Sequence, residues 1–445
     1  MDSVFKREIC QLFNWSSEEF DDVFNGPQYR GIRINTLKSD YNTVASGFDF
    51  PLKKSPFYKD SYYIPSDYSG IGNHPLHHAG AFYVQEPSAS SVLSAISAKK
   101  GQKVLDLCAA PGGKSTGIAA EIGKDGFIWC NEYVRKRAAA LLSNIERMGI
   151  TNAVVSSLSA DYLCNALTGF FDIVCVDAPC SGEGMWRHNP LVEKQWSLDY
   201  VNECASLQKE ILFSAAVAVR SGGRLIYSTC TFNKKENEEN VVWFLENFPE
   251  FSLCDVDAEF GTNGLSGNAE VDKKVRRISP KEKGEGHFVA VFEKVGMEED
   301  TYFDTVKEGV TPQNKKIVEE FFKENFKNSL DGVLIEKNNL VYLVPFGTPD
   351  IKGDILRYGL LVGEIRKGRL EPAHTLFNTP HLIPIRSVEL DLNDERLVKF
   401  LKGEEIAVQG EKGYTGVTVL GIPLGFGKCS GERLTNKYPK GLRLL

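Results

Sequence analysis

Between residues 101 and 295, short apolar runs alternate with segments whose apolar residues recur at helical spacing. This alternation predicts an α/β fold, in which crossover helices connect the strands of a parallel sheet. Five successive runs have the length of buried strands, and they are KVLDLC, GFIWCNEY, NAVVSSLSAD, FDIVCVDAP and GGRLIYSTC. A later run, GHFVAVFEKV, alternates as a further strand would.

The chain has 445 residues, which is more than one hydrophobic core usually supports, so we expect two or three domains. The sequence contains no run of eighteen apolar residues, and its N-terminal residues lack the pattern of a signal peptide. These observations predict a cytoplasmic protein without membrane association. The net charge of −7 gives no overall sign of nucleic-acid binding, although a local basic surface would suffice for it.

The ten cysteines are scattered along the chain, and no two of them form a C-x-x-C pair. A structural zinc site needs such close pairs, and a disulfide framework is typical of exported proteins. We therefore expect no metal, and we expect most of the thiols to be packing residues. Cys230 is unusual among them, because it follows Ser228 and Thr229 directly at the end of an apolar strand.

Polar or glycine-rich groups follow all five predicted strands. In an open α/β sheet, ligands bind outside the carboxyl ends of the strands. The groups at these ends are, in order, the loop DLCAAPGGKS, Glu132, Asp161, the loop DAPCSGEG and the segment STC. Packing alone does not explain this coincidence, so we expect a binding site at this edge of the sheet.

The loop after the first strand and Glu132 after the second predict an adenosine-containing cofactor. The segment CAAPGGKST ends like a Walker A motif, but Cys108 stands where that motif requires glycine, and the G-x-G-x-x-G pattern is missing as well. A glycine-bearing turn lets the backbone approach a nucleoside, and Glu132 lies 26 residues after Asp106, where an acid can bind the ribose hydroxyls. A dehydrogenase has the same features, so this pattern does not identify the reaction that the protein catalyses.

The positions of two cysteines depend on the order of the strands. If the fourth strand lies between the first and the fifth, Asp177, Cys180 and Cys230 project over neighbouring strand ends. Adjacent strands are only about 4.8 Å apart. Both sulfur atoms would then border one pocket beside the loop after the first strand.

The motifs LDLCAAPGGKS, VDAPCSGEG and YSTCTFNKKENEENV, with FYVQEPSAS upstream, resemble those of the Nop/Sun-type RNA cytosine-5 methyltransferases. The RINTL stretch resembles the RNA-facing domain that precedes the catalytic domain in this family. Residues 414–443 resemble the PUA-like tail of its RsmF-type 16S ribosomal RNA enzymes. The resemblance implies a Rossmann-like core that uses S-adenosylmethionine, an N-terminal RNA-facing α+β segment and a C-terminal PUA-like domain.

The resemblance also implies a division of the chain into five parts. These are an N-terminal RNA-binding segment at 1–75, the catalytic domain at 76–297, a linker at 298–310, an intermediate C-terminal subdomain at 311–385 and the PUA-like domain at 386–445.

Four side chains have catalytic roles in the reaction that the resemblance implies. Cys230 would add to carbon 6 of cytosine, because carbon 5 is a poor nucleophile until a thiolate attacks the ring. Cys180 would assist release of the product, Asp177 would bind ring nitrogen 3 or the amino group, and Lys114 would hold the base or the thiolate. The cofactor-binding residues implied in the same way are Cys108, Ala109, Ala110, Pro111, Gly112, Gly113, Lys114, Glu132, Asp161 and Asp177.

The implied partner is RNA, specifically 16S ribosomal RNA or the small ribosomal subunit, and the implied protein is a monomer. Two basic stretches, residues 273–283 and 427–443, hold six and five basic residues with one glutamate each. We expect them to bind phosphates, although a solvated face is the alternative. Arg33 and Asn35, on a strand predicted to be half-buried, are further candidates for RNA contact. The loop GEGMWRHNP with Arg187 would shape the access of a flipped base.

Three other functions remain open at this point. A transfer RNA cytosine-5 methyltransferase would carry the same motifs. A non-catalytic ribosome-assembly protein would bind RNA with a vestigial core, but every expected catalytic residue is present. A nucleotide hydrolase is disfavoured by the broken Walker pattern.

Overall fold

The computed structural model of the protein describes residues 3–296 and 302–444. Residues 1, 2, 297–301 and 445, which include part of the predicted linker and the ends of three predicted domains, lie outside the described residues. The described residues form four β-sheets, and their helices and strands are numbered in chain order. No helix among them is long and apolar enough to cross a membrane.

The strands are β1 (Arg30–Ile34), β2 (Lys53–Lys54), β3 (Ser61–Ile64), β4 (Phe82–Val84), β5 (Lys103–Asp106), β6 (Phe127–Asn131), β7 (Ala153–Ser156), β8 (Phe171–Asp177), β9 (Val219–Thr229), β10 (Phe251–Cys254), β11 (Arg276–Ile278), β12 (His287–Lys294), β13 (Val333–Lys337), β14 (Leu340–Val344), β15 (Ile355–Tyr358), β16 (Leu360–Arg366), β17 (Arg369–Pro372), β18 (Ser387–Leu390), β19 (Ile406–Ala407), β20 (Gly413–Val419), β21 (Ile422–Cys429) and β22 (Arg433–Asn436).

The α-helices are α1 (Ser3–Phe13), α2 (Ser17–Phe24), α3 (Tyr41–Ala45), α4 (Pro75–His78), α5 (Ser91–Ile96), α6 (Gly113–Ile122), α7 (Arg135–Arg147), α8 (Ala160–Ala166), α9 (Pro190–Gln195), α10 (Leu198–Ala218), α11 (Glu238–Asn247), α12 (Ala269–Lys274), α13 (Pro312–Asn325), α14 (His374–Asn378) and α15 (Glu395–Leu401). Short 3₁₀ helices span Ile71–Asn73, Pro87–Ser90, Glu183–Met185, Pro280–Glu282 and Lys440–Leu442.

The largest sheet has a parallel centre, as the sequence predicts. Its strands lie in the order β10, β12, β9, β8, β5, β6, β7 and β15, and β11 pairs with β12. The five strands from β9 to β7 are parallel neighbours, whereas β12 and β15 run antiparallel to β9 and β7. The fourth predicted strand, β8, therefore lies between the first, β5, and the fifth, β9.

Helices cover both faces of this sheet, which explains why its strands are apolar without alternation. One face packs against α8, α10 and α11, and the opposite face packs against α5, α6 and α7. Successive residues of a strand point to opposite faces, so Leu105 belongs to the first core and Val104 to the second. This packing fixes the strand ends that carry the predicted site.

The flanking parts of the chain pack on one another and on the central sheet. The N-terminal sheet (β2, β3, β1, β4) shares one hydrophobic core with the C-terminal sheet (β18, β20, β21, β22, β19). A third sheet (β13, β14, β16, β17) lies between them in the sequence, and its neighbour β15 instead extends the central sheet beside β7. The predicted domain limits stay predictions.

The prediction that β1 is half-buried and offers Arg33 and Asn35 to RNA is wrong. Arg33 is 1% exposed and Asn35 is fully buried. Arg33 donates hydrogen bonds to Gly113 O and to Thr116 Oγ1 of α6, at 3.2 and 2.7 Å. Both faces of β1 are covered, because the N-terminal sheet docks directly on α6 beside the central sheet.

Candidate active site

The carboxyl ends of β5, β8 and β9 meet at one edge of the central sheet. Parallel pairing places Asp106 opposite Cys175, and it places Asp177 opposite Ser228. The loops that follow these three strands therefore start next to one another, in the arrangement that the sequence predicts.

The loops after β8 and β9 bring two sulfur atoms within hydrogen-bond distance. Cys180 Sγ lies 3.2 Å from Cys230 Sγ, and both residues are half-buried. The hydrogen bond with Cys230, together with burial, raises the pKa of Cys180 well above its ordinary value. Cys180 therefore remains a thiol at neutral pH, and it can donate its proton in a hydrogen bond to a thiolate on Cys230.

An ion pair between α6 and β8 lies beside the sulfur atoms. Lys114 Nζ is 2.5 Å from Asp177 Oδ2. Burial raises the pKa of Asp177, but the Lys114 ammonium and His287 outweigh burial and hold that pKa below its ordinary value. Burial lowers the pKa of Lys114, but Asp177 and, more weakly, Cys230 raise it above its ordinary value. Both groups are therefore charged at neutral pH.

His287, at the start of β12, is a further neighbour of Asp177 that was not predicted from the sequence. Its side chain is 2% exposed, and its Nε2 lies 3.6 Å from Asp177 Oδ1. Ser228 Oγ donates a hydrogen bond to the same carboxylate oxygen at 2.7 Å. The sequence predicts a strand here, but only the antiparallel pairing of β12 with β9 brings its first residue to the site.

Two buried acids, which sequence analysis also missed, tie the cysteine loops together. Ser181, which follows Cys180, donates from its backbone nitrogen to Glu236 Oε2 at 2.9 Å. Thr231, which follows Cys230, donates from Oγ1 to Glu183 Oε2 at 2.9 Å, and the Ser181 and Thr231 hydroxyls lie 2.8 Å apart. Burial raises the pKa of Glu236 to about 7. These hydrogen bonds hold the residues after each cysteine and so fix the separation of the sulfur atoms.

The predicted cofactor loop, residues 108–113, is held by side chains of α7. Arg137 Nη2 donates to Ala110 O at 3.0 Å, and Asn144 Nδ2 donates to Pro111 O at 2.9 Å. These contacts fix the backbone of the loop above the end of β5.

The glycines of this loop allow a close approach of backbone to neighbouring side chains. Gly112 has a φ of +111°, which other residues rarely adopt, and a Cβ there would lie 3.2 Å from Leu141 Cδ1.

The pKa of Cys108 is raised by burial, so this third cysteine at the site remains a thiol.

The two predicted acidic ligands of the cofactor differ in their surroundings. Glu132 is 4% exposed, its Oε1 accepts from the backbone nitrogen of Val134 at 2.9 Å, and its Oε2 lies 3.4 Å from Arg137 Nη1. Asp161 is exposed in the first turn of α8, where Oδ1 accepts from Asn165 Nδ2 at 2.8 Å. Glu132 therefore lies beside the predicted cofactor loop. Asp161 lies on the surface in α8, the helix that follows β7.

Two arginines predicted near the RNA are buried in ion pairs. Arg187 is 6% exposed, and its Nε and Nη2 each donate to Glu285 at 2.8 Å. Arg277, in the first basic stretch, is 2% exposed and pairs with Glu238. A guanidinium that is paired inside the protein cannot reach a phosphate, so the expected role of Arg277 in an RNA track is wrong. Arg187 also donates to Val23 O at 2.9 Å and so anchors its loop to the N-terminal segment, and the role of this loop in the access of a flipped base stays a prediction.

Family models match four successive parts of the chain. Residues 1–87 match the N-terminal domain of 16S rRNA methyltransferase RsmF, 93–293 match 16S rRNA methyltransferase RsmB/F, 320–378 match the first C-terminal domain of RsmF, and 387–444 match its PUA domain. The ribosomal RNA small subunit methyltransferase F of Enterobacter sp. (strain 638) is 30% identical over 452 residues, which cover 96% of this chain and 92% of that protein. The chain belongs to the RsmF family. The homologue from Psychromonas ingrahamii is also 30% identical, over 96% of this chain and 93% of that protein.

Solved structures support the fold of this RsmF-family member. A methyltransferase homolog protein from Pyrococcus horikoshii is 26% identical with a TM-score of 0.56, over 66% of this chain and all of that one. NSun6 from Pyrococcus horikoshii with SFG has a TM-score of 0.58 at 20% identity, over 66% of this chain and 99% of that one. The predicted Rossmann-like methyltransferase core and PUA-like domain are confirmed, and the cofactor of the family is S-adenosylmethionine.

The residues of the site fit S-adenosylmethionine. Asp106 Oδ1 is buried without a hydrogen-bond partner, whereas Ser115 Oγ donates to Oδ2 at 2.6 Å. Burial raises the pKa of Asp106 to about 7. A ligand with hydroxyl and amino donors and a positive charge suits an unpartnered carboxyl oxygen and the buried carboxylate of Glu132.

Proposed function

We propose that the protein is an S-adenosylmethionine-dependent RNA cytosine-5 methyltransferase that modifies a cytidine of 16S ribosomal RNA through a covalent adduct. The observation that carries this proposal is the pair of sulfur atoms, Cys180 Sγ and Cys230 Sγ, 3.2 Å apart beside the Lys114–Asp177 ion pair. The names of the relatives support the small-subunit RNA as substrate. The five-part division predicted from the sequence belongs to the same proposal.

In the first step, the Cys230 thiolate adds to carbon 6 of the cytosine and forms a carbon–sulfur bond. The hydrogen bond from the Cys180 thiol and the charge of Lys114 both stabilise the thiolate before it attacks. The electron pair of the carbon 5–carbon 6 double bond then moves toward carbon 5, which becomes nucleophilic.

Asp177 contacts the edge of the base while charge develops on the ring. Its carboxylate accepts a hydrogen bond from the exocyclic amino group, or from ring nitrogen 3 after that atom has taken a proton from solvent. The proton on nitrogen 3 offsets the negative charge, and the carboxylate holds the protonated base in place. Lys114 and Ser228 hold its two oxygens in place. The carboxylate is therefore oriented before the base arrives.

Residues 108–114, Glu132, Asp161 and Asp177 would hold S-adenosylmethionine, which supplies an electrophilic methyl group when it is bound. Glu132 would accept hydrogen bonds from the ribose hydroxyls, and the loop backbone would approach the nucleoside. The positions of Asp106 and Glu132 beside this loop support that arrangement.

The last step restores the aromatic ring and frees the enzyme. A water molecule takes the proton from carbon 5, the electron pair of that carbon–hydrogen bond re-forms the carbon 5–carbon 6 double bond, and the carbon–sulfur bond breaks with its electron pair returning to Cys230. Cys180 assists this step, because its thiol lies within hydrogen-bond distance of the departing sulfur and stabilises the thiolate that forms.

The substrate is tested by supplying the purified protein and S-adenosylmethionine with three RNAs: 16S ribosomal RNA, assembled small subunits and transfer RNA. Bisulfite sequencing should detect a new 5-methylcytidine in the 16S RNA, either naked or assembled. A product in transfer RNA alone would favour the transfer RNA enzyme. Cofactor binding without any methylated cytidine would contradict the proposed reaction.

Glu132→Ala should weaken binding of S-adenosylmethionine by about tenfold or more, because a hydrogen bond to a charged group contributes about 1.5–3 kcal/mol. Isothermal titration measures this change. Glu239→Ala, at an exposed glutamate of α11, is the matched control and should bind normally. Equal affinities of the two variants would remove Glu132 from the cofactor site.

His287→Phe should lower kcat about tenfold at saturating RNA while KM for RNA changes little, because His287 Nε2 lies 3.6 Å from Asp177 Oδ1 and acts through that carboxylate. His287→Gln should restore part of the rate, since an amide keeps a polar N–H group beside the carboxylate. His188→Phe is the control, because His188 faces Glu285 outside the site. A purely structural role would predict that His287→Gln and His287→Phe have the same kcat.

A further inference from the structure

A cavity of about 470 Å³ lies where four parts of the chain meet. The exposed residues Gly72, Ser143 and Gly441 are part of its lining, so it is open to solvent. The side chains that matter for its chemistry come from α4, α7, α14 and the C-terminal segment, and they are His77, His78, Arg147, His374, Tyr438 and Arg443.

Two arginines at the cavity have no carboxylate partner among the described residues. Arg147 donates to His77 O at 2.9 Å, to Phe82 O at 3.2 Å and to Asn144 Oδ1 at 3.0 Å, none of which is charged. Arg443 donates only to Tyr438 O, at 3.2 and 3.1 Å. Neither arginine forms an ion pair with a carboxylate within residues 3–296 and 302–444.

Lys38, behind the cavity, adds a third cation that lacks a carboxylate partner in the described chain. Its Nζ donates to three backbone carbonyls and to Asn378 Oδ1, at 2.8–3.4 Å. Burial and the charge of Arg147 lower its pKa well below the ordinary value. The one carboxylate that lines the cavity, Glu146, is already paired with Arg357. Buried cations without counter-charges are costly, and an anion in the cavity would remove that cost.

Two imidazole rings of the cavity lining are buried beside these cations. His78 Nδ1 lies 3.0 Å from the Tyr438 hydroxyl, whereas His78 Nε2 and His374 Nδ1 have no hydrogen-bond partner among the described residues, and His374 Nδ1 lies against the backbone of Gly425. Burial and the neighbouring cations lower the pKa of His374 to about 3 and that of His78 to about 4, so both rings are neutral. A neutral imidazole can still donate one hydrogen bond to an anionic oxygen.

We propose that this cavity binds a phosphoryl group, with Arg443 and Arg147 as its charged ligands. A tetrahedral anion with several acceptor oxygens matches converging donors from different directions. The phosphoryl group belongs either to the backbone of the substrate RNA, in which case the inference rests on the proposed function, or to free phosphate. In either case the anion bridges the N-terminal, catalytic and C-terminal parts of the chain.

The first test is a titration of the full-length protein with inorganic phosphate at constant ionic strength. Arg443→Gln removes a half-exposed charged ligand of the cavity. Arg396→Gln is the control, since Arg396 is also half-exposed in the C-terminal part of the chain but pairs with Asp394 and lies outside both basic stretches. Phosphate stabilises proteins in general, so the comparison between variants decides. A saturable rise in the melting temperature should occur in the wild type and in Arg396→Gln, and it should be lost in Arg443→Gln.

The second test measures binding of 16S RNA at several salt concentrations. Loss of one phosphate contact should reduce the slope of log affinity against log salt by about 0.7–0.9 in Arg443→Gln, with about tenfold weaker binding. A changed slope assigns the cavity to the RNA backbone, and lost phosphate stabilisation with an unchanged slope assigns it to free phosphate.

If Arg443→Gln and Arg396→Gln behave alike in both tests, the proposed phosphoryl site is refuted. Neither test depends on methyl transfer, so a failure of the proposed cytosine reaction would be recognised separately.

Discussion

Replacing Cys230 with alanine is expected to lower methyl transfer to RNA by a factor of about 10⁴ or more. No other thiol takes over its role: burial raises the pKa of Cys108, and the pKa of Cys180 is raised above its ordinary value. Without addition at carbon 6, carbon 5 remains too weak a nucleophile to accept the methyl group. Incorporation of label from methyl-labelled S-adenosylmethionine into 16S RNA measures the loss.

Two controls separate this chemical effect from a loss of structure. Cys254→Ala removes a half-buried cysteine on β10, outside the site, and should leave the rate unchanged. Cys230→Ala itself should bind S-adenosylmethionine with normal affinity, because Cys230 is not among the residues proposed to hold the cofactor. Substantial methylation by correctly folded Cys230→Ala would exclude Cys230 as the nucleophile.

Replacing Cys180 with alanine should have the opposite signature, which is accumulation of a covalent complex between protein and RNA. The thiol of Cys180 stabilises the thiolate that leaves carbon 6, so its removal slows release more than it slows attack. A band of protein–RNA complex should persist on a denaturing gel when both RNA and S-adenosylmethionine are present. The double variant Cys180→Ala/Cys230→Ala should show no such band.

The covalent complex also shows which of the two cysteines is the nucleophile, because the short distance between their sulfur atoms does not distinguish their roles. If Cys180→Ala released free methylated RNA at the wild-type rate, its role in product release would be wrong. If the double variant still formed the complex, the nucleophile would be neither of the two cysteines.

The arrangement of the central site was predictable because it depends on local patterns and on strand order. Apolar runs identified β5 to β9, and the carboxyl ends of parallel strands necessarily share an edge of the sheet. The proximity of Cys180 and Cys230 followed from placing β8 between β5 and β9. Each of these steps needs only residues that are close in sequence or on adjacent strands.

The supporting groups were not predictable, because they depend on pairings and packing between distant segments. His287 reaches Asp177 only because β12 pairs antiparallel with β9. The segment ENEEN reads as the acidic first turn of a helix, yet Glu236 precedes α11 and binds the loop of Ser181, while Glu238 pairs with Arg277 in the interior. The sequence around a charged residue does not show whether its side chain will pair with a distant residue in the protein interior.

The same limit explains the errors at the predicted RNA surface. Arg33 lies on a strand with alternating apolar residues, which ordinarily exposes one face to solvent. Docking of the N-terminal sheet on α6 covers that face and turns Arg33 into a buried link to Thr116. The cavity at Arg147 and Arg443 could likewise not be predicted from the sequence, because it forms only where separate parts of the chain meet.

The most direct test of the covalent mechanism is to map the bond itself. Cys180→Ala is incubated with S-adenosylmethionine and 16S RNA, the complex is digested with nuclease and protease, and the cross-linked peptide is sequenced by mass spectrometry. If the covalent mechanism is correct, a methylated cytidine should be attached to the sulfur of Cys230. Attachment at any other residue, or no attached nucleotide in an active preparation, would contradict it.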